Sequence, residues 1–384
     1  MMALSTNTDW RYGVLEDAVT KGSSNISHGK IKEDDGPYPV FGAKGYIQNI
    51  SFYQQENDYI AIIKDGAGIG RVSVHPAKSS VLATMQYLLP KEGFDLRFIK
   101  YFLESLDFEE YRTGSTIPHI YFKDYKSAPF PLISVPEQKR IVAILDQAFA
   151  DIEQARAKTE QNLKNARELF ESYLQQVFSQ RGEGWGFYKL SELCNLISGQ
   201  HIDAKNYNNE QRGIGYLTGP SDFGVINPTV TKWTEHPKRT AIKGDILITV
   251  KGSGVGKVNI MSAGELAISR QLMAVRPTNA VGDLLYWFLS MQFDYFQSLA
   301  NGAAIPGISR HDVLDLKLSI PLSGDQQELV DRISQFNLET VDLERIYTDK
   351  LSSLDELKKS ILQKAFSGEL TKTLEVDTNK GAVA

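Results

Sequence analysis

The 384-residue sequence contains a single cysteine, Cys194, and no long apolar run. One cysteine excludes an internal disulfide, so nothing indicates an oxidising compartment and we expect a cytoplasmic protein. The first residues, MMALSTNTDWRYG, lack the basic stretch and the apolar run of a signal peptide. No segment approaches the roughly 20 apolar residues that a membrane-spanning helix needs. Membrane insertion is therefore not expected.

An excess of positive charge is also missing. The net charge is -5 at pH 7, whereas nucleic-acid-binding proteins usually concentrate Lys and Arg. Residues 1–135 hold 14 basic and 16 acidic side chains, and residues 185–322 hold 13 basic and 11 acidic ones. Any contact with DNA phosphate must therefore be local, or partner subunits must supply much of the attraction.

Signatures of catalysis are absent as well. The six histidines stand apart from one another without metal-ligand spacing, and there is no second cysteine to complete a metal site. The tripeptide DFG at residues 222–224 matches a kinase motif, but no kinase catalytic loop precedes it. No GxSxG elbow, NPPY-like tetrapeptide or helicase-type phosphate loop occurs. We expect no catalytic site and no metal in this chain.

The most informative feature that is present is an internal repeat with a period of about half the chain. Four pairs of motifs recur in the same order in the two halves. They are Trp10, Leu15 and Asp17 with Trp185, Leu190 and Glu192; KDGAGIGRV at 64–72 with KGSGVGKV at 251–258; GSTIPHI at 114–120 with GAAIPGI at 302–308; and SYLQQVFS at 172–179 with SILQKAFS at 360–367. A duplicated architecture follows.

Each half changes character once. In residues 1–135 and 183–323, short β-rich runs are broken by Gly, Pro, Asn and Asp, which predicts two mixed α/β units. Residues 136–182 and 324–370 are rich in Glu, Gln, Lys, Ala and Leu, which is typical of helices. We expect residues 371–384 to form a disordered tail. The predicted fold class is α+β.

Apolar residues follow a three-and-four spacing in both long helices, which predicts a coiled-coil seam. A helix of roughly 40 residues is on the order of 60 Å long and cannot be buried in one domain. A linker or a homo-oligomerisation rod would explain one such helix, but two matched helices favour an intramolecular antiparallel pair with pseudo-two-fold symmetry. The residues expected in this spacer, or in docking of subunits to it, are Leu145, Ile152, Leu169, Tyr173, Phe178, Leu343, Leu354, Ile361 and Phe366.

The glycine-rich segments raise the question of nucleotide binding, because backbone N–H groups in such turns cradle phosphates. A Walker A loop needs Ser or Thr after its lysine, whereas Lys257 is followed by Val258. A dinucleotide-binding loop is followed by a helix, but the residues after both segments have strand character. We expect tight strand-to-strand turns, whose amides and flanking basic residues can still touch DNA phosphate.

Three further segments resemble the specificity subunits of type I restriction-modification systems. They are YPVFGAKGYI at 38–47, PLISVPEQKRIVAILD at 131–146 and ILQKAFSGEL at 361–370, and the resemblance extends from Trp10 to Leu370. One departure is that the second long helix begins SGDQQELV and lacks the VPEQ sequence of the first.

The resemblance implies that each globular unit is a target recognition domain for one half of a split, asymmetric DNA site. It also implies that the helices fix the unread gap and dock two methyltransferase subunits, with restriction subunits as further partners. Adenine methylation and S-adenosylmethionine would belong to the methyltransferase, so no cofactor is expected in this chain.

Base contacts come from side chains that reach the groove edges: Arg or Lys to guanine, Asn or Gln to adenine, and Ser or Thr to either. For each candidate, the alternative is an ordinary solvated surface residue. The candidates lie on loops near the repeated motifs and are Lys44, Lys64, Arg71, Thr116, His119, Tyr121, Lys123, Lys251, Lys257, Arg270, Gln271, Ser309 and Arg310.

Two other functional classes stay open from the sequence alone. A coiled-coil adaptor without sequence-specific DNA binding is favoured by the acidic balance of charge. An enzyme acting alone on nucleic acid is the second, although no set of residues supports it. The specificity chain of a combined restriction-methylation enzyme outside type I is a near neighbour of the main interpretation.

Overall fold

A computed structural model describes residues 10–114, 116–224, 228–262, 264–300, 306–321 and 325–371. The chain divides into two compact units. Unit 1 comprises Met1–Glu160 and Asp349–Ala384, and unit 2 comprises Gln161–Thr348. Each unit therefore contains a globular part and segments of both long helices. The predicted disordered tail lies, beyond Thr371, outside the described residues.

The globular part of unit 1 is built from short strands and short helices. Its strands are β1 (Tyr12–Val14), β2 (Val19–Ser23), β3 (Tyr38–Gly42), β4 (Gly45–Ile50), β5 (Tyr59–Ile63), β6 (Val72–His75), β7 (Ser80–Val81), β8 (Met85–Pro90) and β9 (Pro129–Pro131). Its α-helices are α1 (Leu15–Ala18), α2 (His28–Ile31), α3 (Leu96–Ser105) and α4 (Phe122–Tyr125), with a 3-10 helix at Phe108–Tyr111.

The central sheet of unit 1 has the strand order β2-β8-β5-β6 and is antiparallel throughout. All five residues of β5 are buried, as its uninterrupted apolar sequence YIAII predicts for an interior strand. Strands β1 and β9 pair antiparallel and join the start of the globular part to its end. A smaller sheet has the order β4-β3-β7, in which β3 and β7 are parallel.

Unit 2 repeats this arrangement with different lengths. Its strands are β10 (Trp185–Lys189), β11 (Cys194–Ser198), β12 (Ile214–Leu217), β13 (Trp233–Thr234), β14 (Thr240–Ile242), β15 (Ile246–Thr249), β16 (Val258–Ile260), β17 (Glu265–Ile268), β18 (Leu272–Pro277) and β19 (Lys317–Pro321). Its short helices are α6 (Leu190–Leu193), α7 (Gly282–Ser290), α8 (Phe293–Ala300) and α9 (Arg310–Leu314), with 3-10 helices at Ala204–Asn206 and Pro220–Asp222.

The sheets of unit 2 match those of unit 1. The central sheet has the order β11-β18-β15-β16, and β10 pairs with β19 as β1 pairs with β9. A four-stranded sheet with the order β13-β12-β17-β14 takes the place of the smaller sheet in unit 1. The predicted tandem repeat and the predicted α+β class are confirmed by this shared topology.

Asp17 and Glu192, which are paired in the sequence repeat, make the same local hydrogen bond in the two units. The carboxylate of Asp17 accepts a hydrogen bond from the Val14 N–H at 2.9 Å, and that of Glu192 accepts one from the Lys189 N–H at 2.6 Å. Each bond satisfies an otherwise unpaired donor at the start of a one-turn helix.

Two long helices complete the units: α5 spans Val135–Ser179 and α10 spans Gln326–Ser367. Among the described residues, neither they nor any other helix is long and apolar enough to cross a membrane. The first part of α5 and the last part of α10 pack together in unit 1, and the remaining parts pack together in unit 2. Residue numbers rise along one helix as they fall along the other, so the pair is antiparallel within each unit.

Side-chain contacts define this pairing. In unit 1, Arg156 donates a hydrogen bond to the carboxylate of Asp355. In unit 2, Arg167 donates two hydrogen bonds to one carboxylate oxygen of Glu344, at 3.0 and 2.9 Å, and the rings of Tyr173 and Phe336 meet edge to face at 4.8 Å.

The core of unit 1 joins the globular part to both helices. Phe366, near the end of α10, packs against Phe98 and Phe102 of α3, with ring centroids 5.2 and 5.4 Å apart. The core of unit 2 is built in the same way, since Phe178 of α5 packs against Phe288 of α7 at 5.4 Å. The last turn of α10 therefore completes the core of unit 1, where α5 begins. The last turn of α5 likewise completes the core of unit 2, where α10 begins.

Equivalent glutamines lie in the first turn of each long helix. Gln138, fully buried, accepts a hydrogen bond from the Asp95 N–H at 2.7 Å and donates to the carbonyls of Gly93 and Ile133. Gln326 accepts one from the Val281 N–H at 3.0 Å and donates to the carbonyl of Pro321. The second helix, which begins at Gln326, thus keeps the contact although it lacks the VPEQ sequence.

Most of the predicted spacer residues pack inside their unit. Leu145, Ile152, Phe178 and Phe366 are buried, and Tyr173, Leu354 and Ile361 are partly buried. Leu169 and Leu343 are 58% and 40% exposed, so they do not pack in the seam, and subunit docking stays the prediction for both.

Two threonines occupy interior positions of the seam instead. Thr159 and Thr340 are buried, and each hydroxyl donates to the carbonyl four residues earlier, that of Ala155 or Phe336. This bond removes the cost of burying the hydroxyl, so a polar residue can stand where the spacing favours an apolar one.

Candidate nucleic-acid interface

Both glycine-rich segments are turns between antiparallel strands, as predicted. Strand β5 pairs with β6 through Ile62 and Val72, and β15 pairs with β16 through Ile248 and Val258. In the first turn, Gly70 has φ +78°, and a Cβ there would lie 2.4 Å from the Cβ of Phe108. Only glycine fits that position without displacing the 3-10 helix.

In unit 1, backbone hydrogen bonds join this turn to two other loops. The Gly66 N–H donates to the Pro118 carbonyl at 2.9 Å, and the Ile120 N–H donates to the Lys64 carbonyl at 3.0 Å. The Lys64 N–H donates in turn to the Thr84 carbonyl at 2.9 Å. The loops before β8 and before α4 are therefore held against the glycine turn.

Unit 2 repeats these three bonds. The Gly252 N–H donates to the Pro306 carbonyl at 2.9 Å, and the Ile308 N–H donates to the Val250 carbonyl at 3.0 Å. The Val250 N–H donates to the Gln271 carbonyl at 2.8 Å. The backbone frame of the two sites is the same.

This frame sets which residues are equivalent. Lys64 and Lys251, which begin the two motifs in the sequence, do not correspond, because Lys64 makes the bonds that Val250 makes. The side chains carried by the frame differ at four equivalent positions, which are Asp65 with Lys251, Thr84 with Gln271, His119 with Gly307, and Tyr121 with Ser309.

The frame brings together most of the predicted DNA-binding residues, in one cluster per unit. Cluster 1 is defined here as Lys64, Asp65, Thr84, His119, Tyr121 and Lys123. Cluster 2 is defined as Lys251, Arg270, Gln271, Gly307, Ser309 and Arg310.

Polar and aromatic contacts order cluster 1. His119 Nδ1 lies 2.7 Å from a carboxylate oxygen of Asp65, and Lys64 Nζ lies 3.3 Å from the other. The rings of His119 and Tyr121 are nearly parallel at 6.4 Å, and Lys123 Nζ lies 5.4 Å from the centre of the Tyr121 ring. Tyr121 is 48% exposed, so its ring is available for contact.

A cationic cavity of about 190 Å³ opens beside cluster 1. Its lining includes three lysines, Lys21, Lys64 and Lys123, together with Tyr121. Lys21 was missed from the sequence, and the structure shows it exposed on strand β2. Three lysines in the lining of one cavity favour an anion such as DNA phosphate.

Cluster 2 has exposed side chains at Lys251, Arg270 and Gln271. The Ser309 hydroxyl already has a partner within the chain, because it accepts a hydrogen bond from the Asp312 N–H at 3.3 Å and caps α9. Arg310 is exposed, although its guanidinium donates to the Ser198 hydroxyl at 2.8 Å.

Four predicted residues lie outside the clusters. Arg71 and Lys257 are exposed and equivalent, since the N–H of each donates to the carbonyl three residues before it in the glycine turn. Arg71 also donates to the Ala43 carbonyl at 3.2 Å, next to the exposed Lys44. Thr116 is exposed on the loop before α4.

A metal-ligand cluster or a reactive thiol would be a further functional group in the described part of the chain. No group of three or more His, Cys, Asp or Glu residues there could hold a metal ion. Burial raises the pKa of the Cys194 thiol to about 11, so that it is uncharged at neutral pH.

The family profile described as "Type I restriction modification DNA specificity domain" matches residues 7–163 and 182–352. The two matches together span most of the chain and fall one on each half of the repeat. The chain belongs to this family. A specificity subunit with two such domains in tandem accounts for the repeated frame and for its different side chains.

Relatives of known description agree with this assignment. The specificity subunit inferred for the MjaX type I restriction enzyme of Methanocaldococcus jannaschii is 26% identical over 64% of this chain and 60% of that protein. The EcoKI specificity subunit of Escherichia coli K12 is 25% identical over 91% of this chain and 82% of that protein.

Solved structures agree on the fold. A chain from a study of complex assembly and conformational transition of the type I R-M system has a TM-score of 0.80 and 20% identity, covering 94% of this chain and 98% of that one. The HsdS subunit from Thermoanaerobacter tengcongensis has a TM-score of 0.62 and 20% identity, covering 95% of this chain and 98% of that one.

Family membership confirms the prediction of a type I specificity subunit. It also confirms the prediction of a non-catalytic chain, because the family is defined by DNA specificity and not by methyl transfer or cleavage. The alternative of a coiled-coil adaptor without DNA recognition is not favoured.

Proposed function

We propose that this specificity subunit reads a split, asymmetric DNA target, cluster 1 recognising one half-site and cluster 2 the other. The observation that carries the proposal is the shared backbone frame with different side chains, above all Asp65 in one unit where the other has Lys251. The Asp65 carboxylate holds the His119 ring, whereas the Lys251 ammonium group can itself donate to guanine. Equivalent loops with opposite charge would select different bases.

We propose that different residues contact the DNA phosphates and the DNA bases. Lys44, Arg71, Lys123 and Lys257 are exposed cations at the edges of the two frames, so we assign them to phosphate. The base-reading side chains are those held at the centre of the frames: His119 and Tyr121 in cluster 1, and Lys251, Arg270, Gln271 and Arg310 in cluster 2. Lys64 lines the cationic cavity, so we assign it to phosphate as well. Thr116 is a further candidate, and Ser309 serves the helix cap.

Linking two recognition units makes each half-site contact cooperative. A weak contact by one unit raises the effective concentration of the other at its half-site, and the gain is lost when the gap between half-sites is wrong. Gap length therefore becomes part of specificity. The domain division into residues 1–135, 136–182, 183–323 and 324–370 follows from these roles, with the helices as the spacer.

The partners proposed are double-stranded DNA, two methyltransferase subunits, which would bind S-adenosylmethionine, and restriction subunits, all in the cytoplasm. Within unit 2, the solvent-facing side of α10 exposes three large apolar residues, Leu338, Val341 and Ile346, at 61%, 53% and 50%. Apolar side chains grouped on a helix mark a surface for protein contact. We assign methyltransferase docking to this surface and to the nearby exposed Leu169 and Leu343.

Docking is tested with the double substitution Leu338→Ser and Val341→Ser. Both side chains are solvent-exposed, so the fold should persist while co-purification with the methyltransferase subunit falls. Gln335→Ala, an exposed substitution on the same helix, is the matched control. Unchanged co-purification of the double variant would remove this surface from the proposal.

Recognition is tested by co-expressing the chain with the methyltransferase subunit encoded beside it and mapping methylated bases by single-molecule sequencing. We expect a split motif with a fixed gap that disappears when this chain is deleted. Arg310→Ala should weaken or relax one half-site and spare the other, whereas equal loss on every DNA sequence would identify a phosphate contact. Methylation that persists without this chain would refute the proposed function.

A further inference from the structure

His119 of cluster 1 is held from one side only. Its Nδ1 lies 2.7 Å from the Asp65 carboxylate, while its Nε2 has no hydrogen-bond partner among the residues that the structure describes. A carboxylate only accepts hydrogen bonds, so the proton of the neutral ring resides on Nδ1. Nε2 then offers a lone pair to an external donor.

The backbone under this side chain is fixed on both sides. The His119 N–H and carbonyl both bond to Thr113, at 2.8 Å each, and the next residue, Ile120, is buried. Asp65 lies in the glycine turn that bonds to Pro118. A ring anchored in this way reaches a ligand with little loss of conformational entropy, which is a requirement for selective contact.

The surroundings favour a nucleic acid as that ligand. His119 is 34% exposed and stands beside the exposed ring of Tyr121. Lys64 and Lys123 flank the pair and line the cationic cavity with Lys21. Phosphate bound by these lysines would bring a base edge to the one open ring nitrogen.

Unit 2 has no imidazole at the equivalent place. Gly307 replaces His119 and Lys251 replaces Asp65, so the same backbone frame presents an ammonium donor there instead of a ring acceptor. The Asp65–His119 pair is therefore particular to unit 1, which is what a residue that distinguishes the two half-sites requires.

We infer that His119 reads one base of the unit 1 half-site, its Nε2 accepting a hydrogen bond from an exocyclic amino group. The base is then adenine, through N6, or cytosine, through N4, since only these present amino groups in the major groove. Asp65 is a positioning residue that fixes the tautomer and the orientation of the ring. This inference rests on the proposed function.

The test uses the complex of this chain with its methyltransferase subunit and a DNA library that varies each position of the target. His119→Ala should lower discrimination about 10-fold at one position of one half-site, the scale of a single lost base contact. Every other position should keep its preference. His119→Gln places a carbonyl oxygen near the position of Nε2 and should retain the preference.

Asp65 is tested at the same library position. Asp65→Ala should relax the position that His119→Ala relaxes, and Asp65→Asn, which keeps an oxygen acceptor toward Nδ1, should restore it. Gln271→Ala in cluster 2 is the matched control and should affect only the other half-site. A loss of folding would lower methylation at all positions together, which separates it from a change at one position.

The outcomes distinguish the two levels of inference. If the wild-type complex methylates no split motif, the proposed function fails and this inference falls with it. If it does methylate one, but His119→Ala leaves every preference intact or lowers methylation uniformly, only the base-reading role of His119 is overturned.

Discussion

The carboxylate of Asp245 accepts two hydrogen bonds of 2.8 Å from the guanidinium of Arg276, one on each oxygen. Asp245 is 1% exposed, and it also accepts from the Ile242 N–H at 2.9 Å. The pair joins the start of β15 to the end of β18 in the central sheet of unit 2.

Asp245→Ala should destabilise unit 2 because it leaves the guanidinium and an N–H without their acceptor. We expect a loss of about 2 to 3 kcal/mol in the free energy of unfolding, below the value for fully buried pairs because Arg276 is 33% exposed. Urea unfolding measures this loss of stability. Asp315→Ala, which breaks the exposed pair with Lys189, is the control and should leave the midpoint unchanged.

Two glycines of the first turn separate backbone strain from steric clash. Gly66 has φ +88° with open space around a Cβ, whereas Gly70 has φ +78° and a Cβ there would meet Phe108 at 2.4 Å. Gly66→Ala should cost about 1 to 2 kcal/mol of stability. Gly70→Ala should cost about 1 to 3 kcal/mol more. Equal losses in thermal unfolding would contradict the close packing of the 3-10 helix on this turn.

Unit 1 should be sensitive to mild acid through His75. Burial lowers the pKa of this imidazole to about 4, while in the unfolded chain it is near 6.5. The unfolded chain therefore binds the proton first, so stability is full above pH 6.5 and falls as the pH drops toward 4. Between pH 7 and pH 5 we expect a loss of about 2 kcal/mol.

Urea unfolding at the two pH values measures the acid sensitivity. His75→Gln removes the titrating group and should flatten the dependence, whatever its effect on stability at pH 7. His28→Gln, at an exposed position, should keep the dependence of the wild-type chain. If His75→Gln still loses as much stability as the wild type, then another group is responsible.

Substitutions at opposite ends of α10 should destabilise different units. Phe366→Ala removes a ring from the core of unit 1, and Leu329→Ala creates a cavity in the core of unit 2. Each should cost about 3 to 5 kcal/mol in its own unit. Hydrogen exchange resolved by segment is the measurement, and loss of protection in the wrong unit would contradict the assignment of the helix ends.

The sequence predicts the elements whose signal is local. The long helices follow from composition and spacing, the turns from their glycines, and the tandem repeat from the order of its motifs. Strand β5 and helix α3 are equally evident, because the apolar run YIAII and the amphipathic LRFIKYFLES are complete within a few residues.

Features fixed by distant main-chain bonds could not be predicted. Alignment of the two sequence motifs pairs Lys64 with Lys251, but the backbone frame pairs Asp65 with Lys251. The equivalence is set by backbone hydrogen bonds to residues near 84 and 118 in unit 1 and near 271 and 306 in unit 2. Lys21 joins the cationic cavity only through the pairing of β2 with β8. The spacing rule also placed Leu169 in the helix seam, where the structure leaves it exposed.

The segments of unit 1 lie far apart in the chain, since its core includes Phe98 from α3 and Phe366 from the end of α10. A ribosome therefore releases the first globular part long before the residues that close its core exist. The whole of unit 2 is synthesised in the meantime. Unit 1 therefore begins to be synthesised first and can complete its core only last. A nascent chain that stops before Phe366 has an apolar face of unit 1 left uncovered.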